Sequence, residues 1–254
     1  MIDINSVDRF ARCVDDYAKF RPAYPDAAVD YILRGTGVGR EATVADIGAG
    51  TGKLSRLLLE RGLRVIAVEP GDDMRAAADL ELSRFANYRS VPATAERTTL
   101  PDSSVDAITV AQALHWFDME KCKPEFARIL RPGGRIAVVY NRRDNSSPFM
   151  AKYQELMYQW CAEMPNETHD KITDGFYHEF LGGFEREKFA NAQLLNFAGL
   201  MGRARSSSYA PPPDHPNYAP LESALRRLYG EYQQDGVISF DYVTEVVIGQ
   251  VNPK

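Results

Sequence analysis

Three glycines at alternate positions, Gly48, Gly50 and Gly52, close an apolar run and are followed from Lys53 by helix formers. The stretch from Val44 to Leu54 reads V-A-D-I-G-A-G-T-G-K-L, a buried strand, a sharp turn and a helix start. A turn lined by glycines has no side chains in the way, so a ligand can lie against backbone N–H groups at the positive end of the next helix. Register excludes two other nucleotide-binding glycine loops. A dinucleotide fingerprint beginning at Gly48 needs its third glycine at position 53, where Lys53 stands, and a phosphate-cradling loop needs four residues between its glycines and a hydroxyl after the lysine. Only Ala49, Gly50 and Thr51 separate Gly48 from Gly52, and Leu54 follows the lysine.

A second apolar run, 64–68, leads to Glu69, Pro70 and Gly71, which puts an acid where the next parallel strand ends. A carboxylate there can accept from both hydroxyls of a ribose. From position 43 onward short apolar runs alternate with helical segments, the pattern of a parallel sheet with right-handed crossovers. Strands are expected at 43–47, 64–68, 88–91, 105–110, 135–140 and 184–195, with a closing antiparallel strand within 236–251. Helices are expected at 53–60, from Met74 to Leu82 with Asp72 or Asp73 as cap, at 124–130 started by Pro124, at 221–232, and between Pro25 and Gly35. Such sheets hold ligands at their carboxyl ends, so Gln112, His115 and Trp116, just past the fourth strand, belong to the reaction centre by position.

The loop resembles the first motif of the class I S-adenosylmethionine-dependent methyltransferases, and the likeness covers most of residues 14–140. V-E-P-G-D-D-M at 68–74 and A-Q-A-L-H-W at 111–116 are similar to type 11 small-molecule enzymes, the trans-aconitate-type carboxyl methyltransferases among them; L-R-P-G-G at 130–134 also resembles the family. The resemblance implies an α/β Rossmann-like sheet, mostly parallel with an antiparallel last strand, helices on both faces and an inserted helical lid. It implies one domain over 1–254, with a cofactor-binding core at 36–140, an inserted helical cap over the acceptor site at 141–183, and 184–254 completing the sheet.

With S-adenosylmethionine as cofactor, the family's pattern assigns Asp46, Gly48, Gly50, Thr51, Gly52, Glu69, Pro70, Met74, Ala95, Glu96 and Gln112 to its binding. Tyr17 and Arg21, from a Tyr, Arg-Pro, Tyr-Pro arrangement, face its methionine end. Relatives carry an acid where Thr94 stands, so the weight there falls on the Ala95 amide and on Glu96. Tyr24, Trp116, Tyr140 and Arg142 are the expected acceptor contacts. A small organic acid is the expected acceptor, its carboxylate paired by Arg21, Arg142 or Arg143. His115 is the candidate base, its imidazole being available near neutral pH; an acid acceptor needs no base and makes His115 a substrate contact. A nicotinamide-dependent oxidoreductase and a non-catalytic binder of the cofactor are the alternatives.

Composition narrows partners. A formal net charge of -5 with 44% hydrophobic and 26% charged residues is ordinary for a globular chain and argues against nucleic acid or an anionic membrane as partner. No apolar stretch approaches the roughly 20 residues of a membrane span, and the start M-I-D-I-N-S lacks a signal core, so a cytoplasmic location is expected. Cys13, Cys122 and Cys161 are odd in number and widely spaced, without disulfide or metal pattern. No metal is expected, and the oligomeric state is left open.

Overall fold

The computed structural model describes residues 19–161, 172–207 and 209–252. Tyr17 lies outside the described residues.

Seven strands form one sheet in the order β3-β2-β1-β4-β5-β7-β6. The strands are β1 (Thr43–Ile47), β2 (Arg64–Val68), β3 (Tyr88–Val91), β4 (Val105–Ala111), β5 (Leu130–Arg143), β6 (Phe184–Leu195) and β7 (Ile238–Gly249). β1 to β5 pair in parallel, and β7 inserts antiparallel between β5 and β6. Parallel pairing requires crossovers. Helices supply three of these, α2 (Lys53–Glu60), α3 (Asp72–Leu82) and α4 (Met119–Ile129); α1 (Asp26–Thr36) precedes β1, and α5 (Pro148–Trp160), α6 (Asp174–Leu181), α7 (Phe197–Arg205) and α8 (Tyr218–Tyr232) follow β5. Among the described residues no helix is long and apolar enough to cross a membrane.

Side chains alternate across the sheet, so each strand feeds two cores. Ile136, Val138 and Tyr140 of β5 pack with Phe126 of α4 and Phe180 of α6 on one face. Ala137 and Val139 pack with Val29 and Ile32 of α1 and Leu54 and Leu58 of α2 on the other. Tyr24, read as an acceptor contact, is 8% exposed and belongs to this second core. A third core lies beyond the carboxyl end of β4. There Asn141, Arg142 and Arg143 of β5 run on, paired only with Thr244, Val243 and Tyr242 of β7, and α5, α7 and α8 close around Phe240 and Tyr242.

Several expected bounds shift for local reasons. α4 begins five residues before Pro124, which lies inside it. Neither Asp72 nor Asp73 caps α3: Gly71 is the cap residue, without a side-chain cap bond. α7 was not expected at all; Asn196 starts it by accepting the Gly199 N–H at 2.8 Å. The two helices of 141–183 do not form one unit: α5 joins the third core, while α6 packs on the first.

Candidate active site

The glycine turn is tied to the neighbouring strand. The N–H groups of Gly48 and Ala49 donate to the Val68 carbonyl at 2.8 and 3.2 Å. Gly48, Gly50 and Gly52 have φ of 70°, 57° and 77°, the left-handed region that costs other residues about 1–2 kcal/mol. A Cβ on Gly48 would stand 2.6 Å from that of Ala113, and one on Gly52 would stand 2.5 Å from Leu82 Cδ1; one on Gly50 would meet nothing within 4 Å. Two glycines therefore let the turn pack against the fold, and the middle one faces open space.

Asp46 supports the turn from below. It is 1% exposed, and its carboxylate accepts from Ser55 Oγ at 2.6 Å and Thr109 Oγ1 at 2.8 Å. Burial pushes its pKa up against those hydroxyl bonds. Asp46, expected as a cofactor contact, joins β1 to α2 and β4 through these bonds. Above it, Glu69 Oε2 accepts the Gly50 N–H at 2.8 Å and Oε1 accepts the Gly71 N–H at 2.9 Å. Burial raises the Glu69 pKa, and the two backbone donors oppose the rise. Each carboxylate oxygen keeps acceptor capacity for a further donor. Met74 is buried one turn into α3, next to Gly71; Thr51 and Ala95 are also buried, and Pro70 is exposed.

At the end of β4, Gln112 takes the left-handed φ of 57°. Its N–H donates to the Val139 carbonyl at 2.9 Å, its Nε2 donates to the Asn141 carbonyl at 3.1 Å, and its Oε1 is buried without a partner. A buried acceptor of this kind costs about 1–3 kcal/mol until a donor arrives. Three residues on, Tyr140 Oη accepts the His115 backbone N–H at 3.2 Å and lies 3.1 Å from His115 Nδ1. Burial pushes the Tyr140 phenol far above its ordinary pKa, so it stays protonated. The Arg142 guanidinium sits 5.6 Å from the Tyr140 ring centre and 3.5 Å from the buried Glu245 carboxylate. Trp116, 44% exposed, lies against the His115 ring.

Some expected residues are engaged elsewhere. Glu96 accepts the Asp118 N–H at 3.1 Å and braces the start of α4. Arg21 Nη2 donates to the Ser206 carbonyl at 2.7 Å, and its charge, after burial and alongside Arg56, helps hold the Lys53 ammonium below its usual pKa. Two participants went unread in the sequence. Lys53 figured only as the residue that breaks a fingerprint. Asn141 was passed over, although it binds the Ala23 carbonyl at 3.1 Å, accepts from Asn191 Nδ2 at 3.2 Å and Thr244 Oγ1 at 2.5 Å, and receives Gln112. Its only sequence signal is a polar side chain next to Tyr140 at a strand end.

A glycine-lined turn clamped to an acid on the adjacent parallel strand, at the carboxyl edge of a doubly wound sheet, defines a protein built to hold a nucleoside cofactor. Residues 45–138 match the family Methyltransf_11, a methyltransferase domain. The chain is 43% identical over 150 residues to an uncharacterized methyltransferase of Mycobacterium tuberculosis, a match covering 58% of each; against that relative it accounts for less than two thirds of the length. It is 31% identical over 192 residues to an uncharacterized methyltransferase of Schizosaccharomyces pombe, covering 75% of each. Among solved structures, a candidate type II methyltransferase of Anaeromyxobacter dehalogenans superposes with a TM-score of 0.69 at 25% identity, over 92% of this chain and 100% of that one. The chain belongs to the class I S-adenosylmethionine-dependent methyltransferases, which decides the open choice against a nicotinamide oxidoreductase.

Proposed function

We propose that the protein binds S-adenosylmethionine on the glycine turn and methylates the carboxylate of a small organic acid held at the end of β4. The observation that carries this reading is the Glu69 carboxylate, tied to the glycine turn by the Gly50 N–H at 2.8 Å, with the Cβ side of Gly50 left open. Its remaining lone pairs suit the two hydroxyls of a ribose, and the unpartnered Gln112 Oε1 suits an ammonium or amide donor. Gly48, Thr51 and Gly52 shape the same turn, with Met74 and Ala95 beside it. When bound, S-adenosylmethionine supplies an electrophilic methyl group on a sulfonium.

The chain's own task is to hold the acceptor in line with that methyl group and to exclude water, since displacement at a sulfonium disperses charge rather than creating it. Orientation alone is worth roughly 7–11 kcal/mol in favourable cases. Arg142 supplies a cation beside His115, and Trp116 and Tyr140 supply ring faces. With the Tyr140 phenol 3.1 Å from Nδ1 and donating to it, Nε2 is the ring nitrogen that serves as donor to the acceptor's carboxylate. The acceptor arrives ionised, so no base is needed, and His115 orients rather than deprotonates. In this reading α5, in the stretch expected as a cap, serves to close the acceptor end.

Incubating the protein with labelled S-adenosylmethionine and a panel of acids, phenols, amines and RNA tests the reading. Label appearing in base-labile methyl esters of small acids is the expected result. Methylation confined to amines or RNA overturns it, as does binding of the cofactor with no transfer to any member of the panel.

A further inference from the structure

The last turn of α7 carries Arg203 into the third core, where it is 5% exposed. Its Nε donates to Tyr242 Oη at 2.6 Å, and its Nη1 lies 3.4 and 3.3 Å from Ser206 Oγ and Ser207 Oγ. Its guanidinium lies 5.3 and 5.8 Å from the ring centres of Phe240 and Tyr242. Among the described residues no carboxylate pairs with it: its polar partners are the neutral hydroxyls of Tyr242, Ser206 and Ser207. A buried cation without a counter-ion is expensive, because rings and neutral hydroxyls replace only part of its hydration.

An independent observation lies in the same core. Tyr153 is fully buried on α5, packs edge-on against Phe240 at 4.8 Å between ring centres, and its hydroxyl has no partner. Tyr242 Oη cannot serve it as a further donor, because it already donates to Gln193 Oε1 at 3.0 Å. Among the described residues the core thus holds a cation and a hydroxyl donor, and no carboxylate that receives them.

We propose that this is an oxyanion subsite for the acceptor, in which a carboxylate is held by Arg203 and the Tyr153 hydroxyl; it rests on the reading of the acceptor as a small organic acid. The subsite connects to the cofactor end by a short polar path. Gln193, which receives Tyr242, donates to the Phe20 carbonyl at 3.1 Å. Three residues on, the Ala23 carbonyl is held by Asn141, which in turn receives Gln112 at the end of β4. The segment 20–23 therefore lies between the two sites. Phe20 covers α7 at Gly202, the residue before Arg203, where an added Cβ would stand 2.2 Å from the ring.

The test compares wild type with Arg203→Met, Arg203→Lys and Tyr153→Phe, in the presence of S-adenosylhomocysteine. Melting temperature is followed while citrate, succinate, malonate or inorganic phosphate is added, and KM and kcat are measured for whichever acid is turned over. The expected result is an acid-induced rise in melting temperature that disappears in Arg203→Met, shrinks in Tyr153→Phe and partly persists in Arg203→Lys. KM for the acid rises on the order of 100-fold in Arg203→Met, with S-adenosylhomocysteine affinity unchanged. Should Arg203→Met not fold, Tyr153→Phe, which loses one oxygen, carries the test through the same two readouts. Acids turned over with unaltered KM and unaltered melting response in the folded variants overturn the subsite and leave the proposed function standing. Acids that stabilise through Arg203 yet are never methylated overturn the proposed function and leave the subsite standing. Stabilisation by phosphate in preference to every acid overturns the carboxylate assignment.

Discussion

The Glu69 carboxylate accepts the Gly50 N–H at 2.8 Å, so the acid at the end of β2 is clamped to the middle of the glycine turn at the end of β1. Neither residue is fully formed as a site without the other. The turn gives the carboxylate a fixed orientation, and the carboxylate gives the turn a negative lining beside a helix start.

Glu69→Gln is expected to weaken S-adenosylmethionine binding by about 10–100-fold in calorimetry, since hydrogen bonds to a charged group are worth about 1.5–3 kcal/mol. Because burial raises the Glu69 pKa, cofactor affinity falls as pH drops from neutral towards the ordinary carboxylate range, and the Gln variant loses that dependence. Stability runs the other way. A folded pKa above the unfolded one means the native state takes up a proton in that interval, so wild type gains stability relative to Glu69→Gln as pH falls through it. Denaturant titrations of both proteins at several pH values check the sign.

Gly50→Ala and Gly52→Ala are expected to separate binding from folding. Gly50 has open space above it, so its variant pays only left-handed strain of about 1–2 kcal/mol and loses cofactor affinity by intruding on the ligand. Gly52→Ala adds a clash with Leu82 Cδ1 at 2.5 Å, which brings its destabilisation to roughly 2–4 kcal/mol. Chemical denaturation and calorimetry on each variant measure the two effects.

Asp46→Ala is expected to destabilise the fold by about 2–4 kcal/mol, because Ser55 Oγ and Thr109 Oγ1 are then buried without their acceptor. Urea unfolding provides the measurement. A loss of affinity with no loss of stability would make Asp46 a ligand contact rather than a support.

His115→Ala is expected to lower kcat/KM for an acid by roughly 10–100-fold through KM, with His115→Gln, which keeps a donor, recovering most of it. Tyr140→Phe, which frees the ring to change tautomer, is expected to cost about 10-fold, since one hydrogen bond to the imidazole is lost. A fall confined to kcat, with loss of a limb of its pH profile, would return His115 to the role of base.

Much of the nucleotide-binding half was legible because its signals are local. β1, α2, β2, β3 and β6 begin and end where apolar runs and glycines put them. α4 was misread because proline at 124 looks like a helix start, whereas the start is at Met119, with Glu96 reaching across from another segment to take the Asp118 N–H. The hydrogen bond Glu96 makes could not be read for the same reason: its partner is 22 positions away.

By itself the sequence determined the strand-turn-helix at Gly48 to Gly52, the acid one strand later and the alternation that builds a parallel sheet, because backbone conformation and hydrophobic period are properties of neighbouring residues. Only the tertiary structure decided that Asp46 accepts from two hydroxyls of distant elements, that α5 and α6 serve different cores, and that Arg203 and Tyr153 are buried on the same side of the sheet around Phe240. Those facts depend on which polar groups from distant segments share one desolvated space. Burial makes each such pairing or its absence costly, and no spacing along the chain records it.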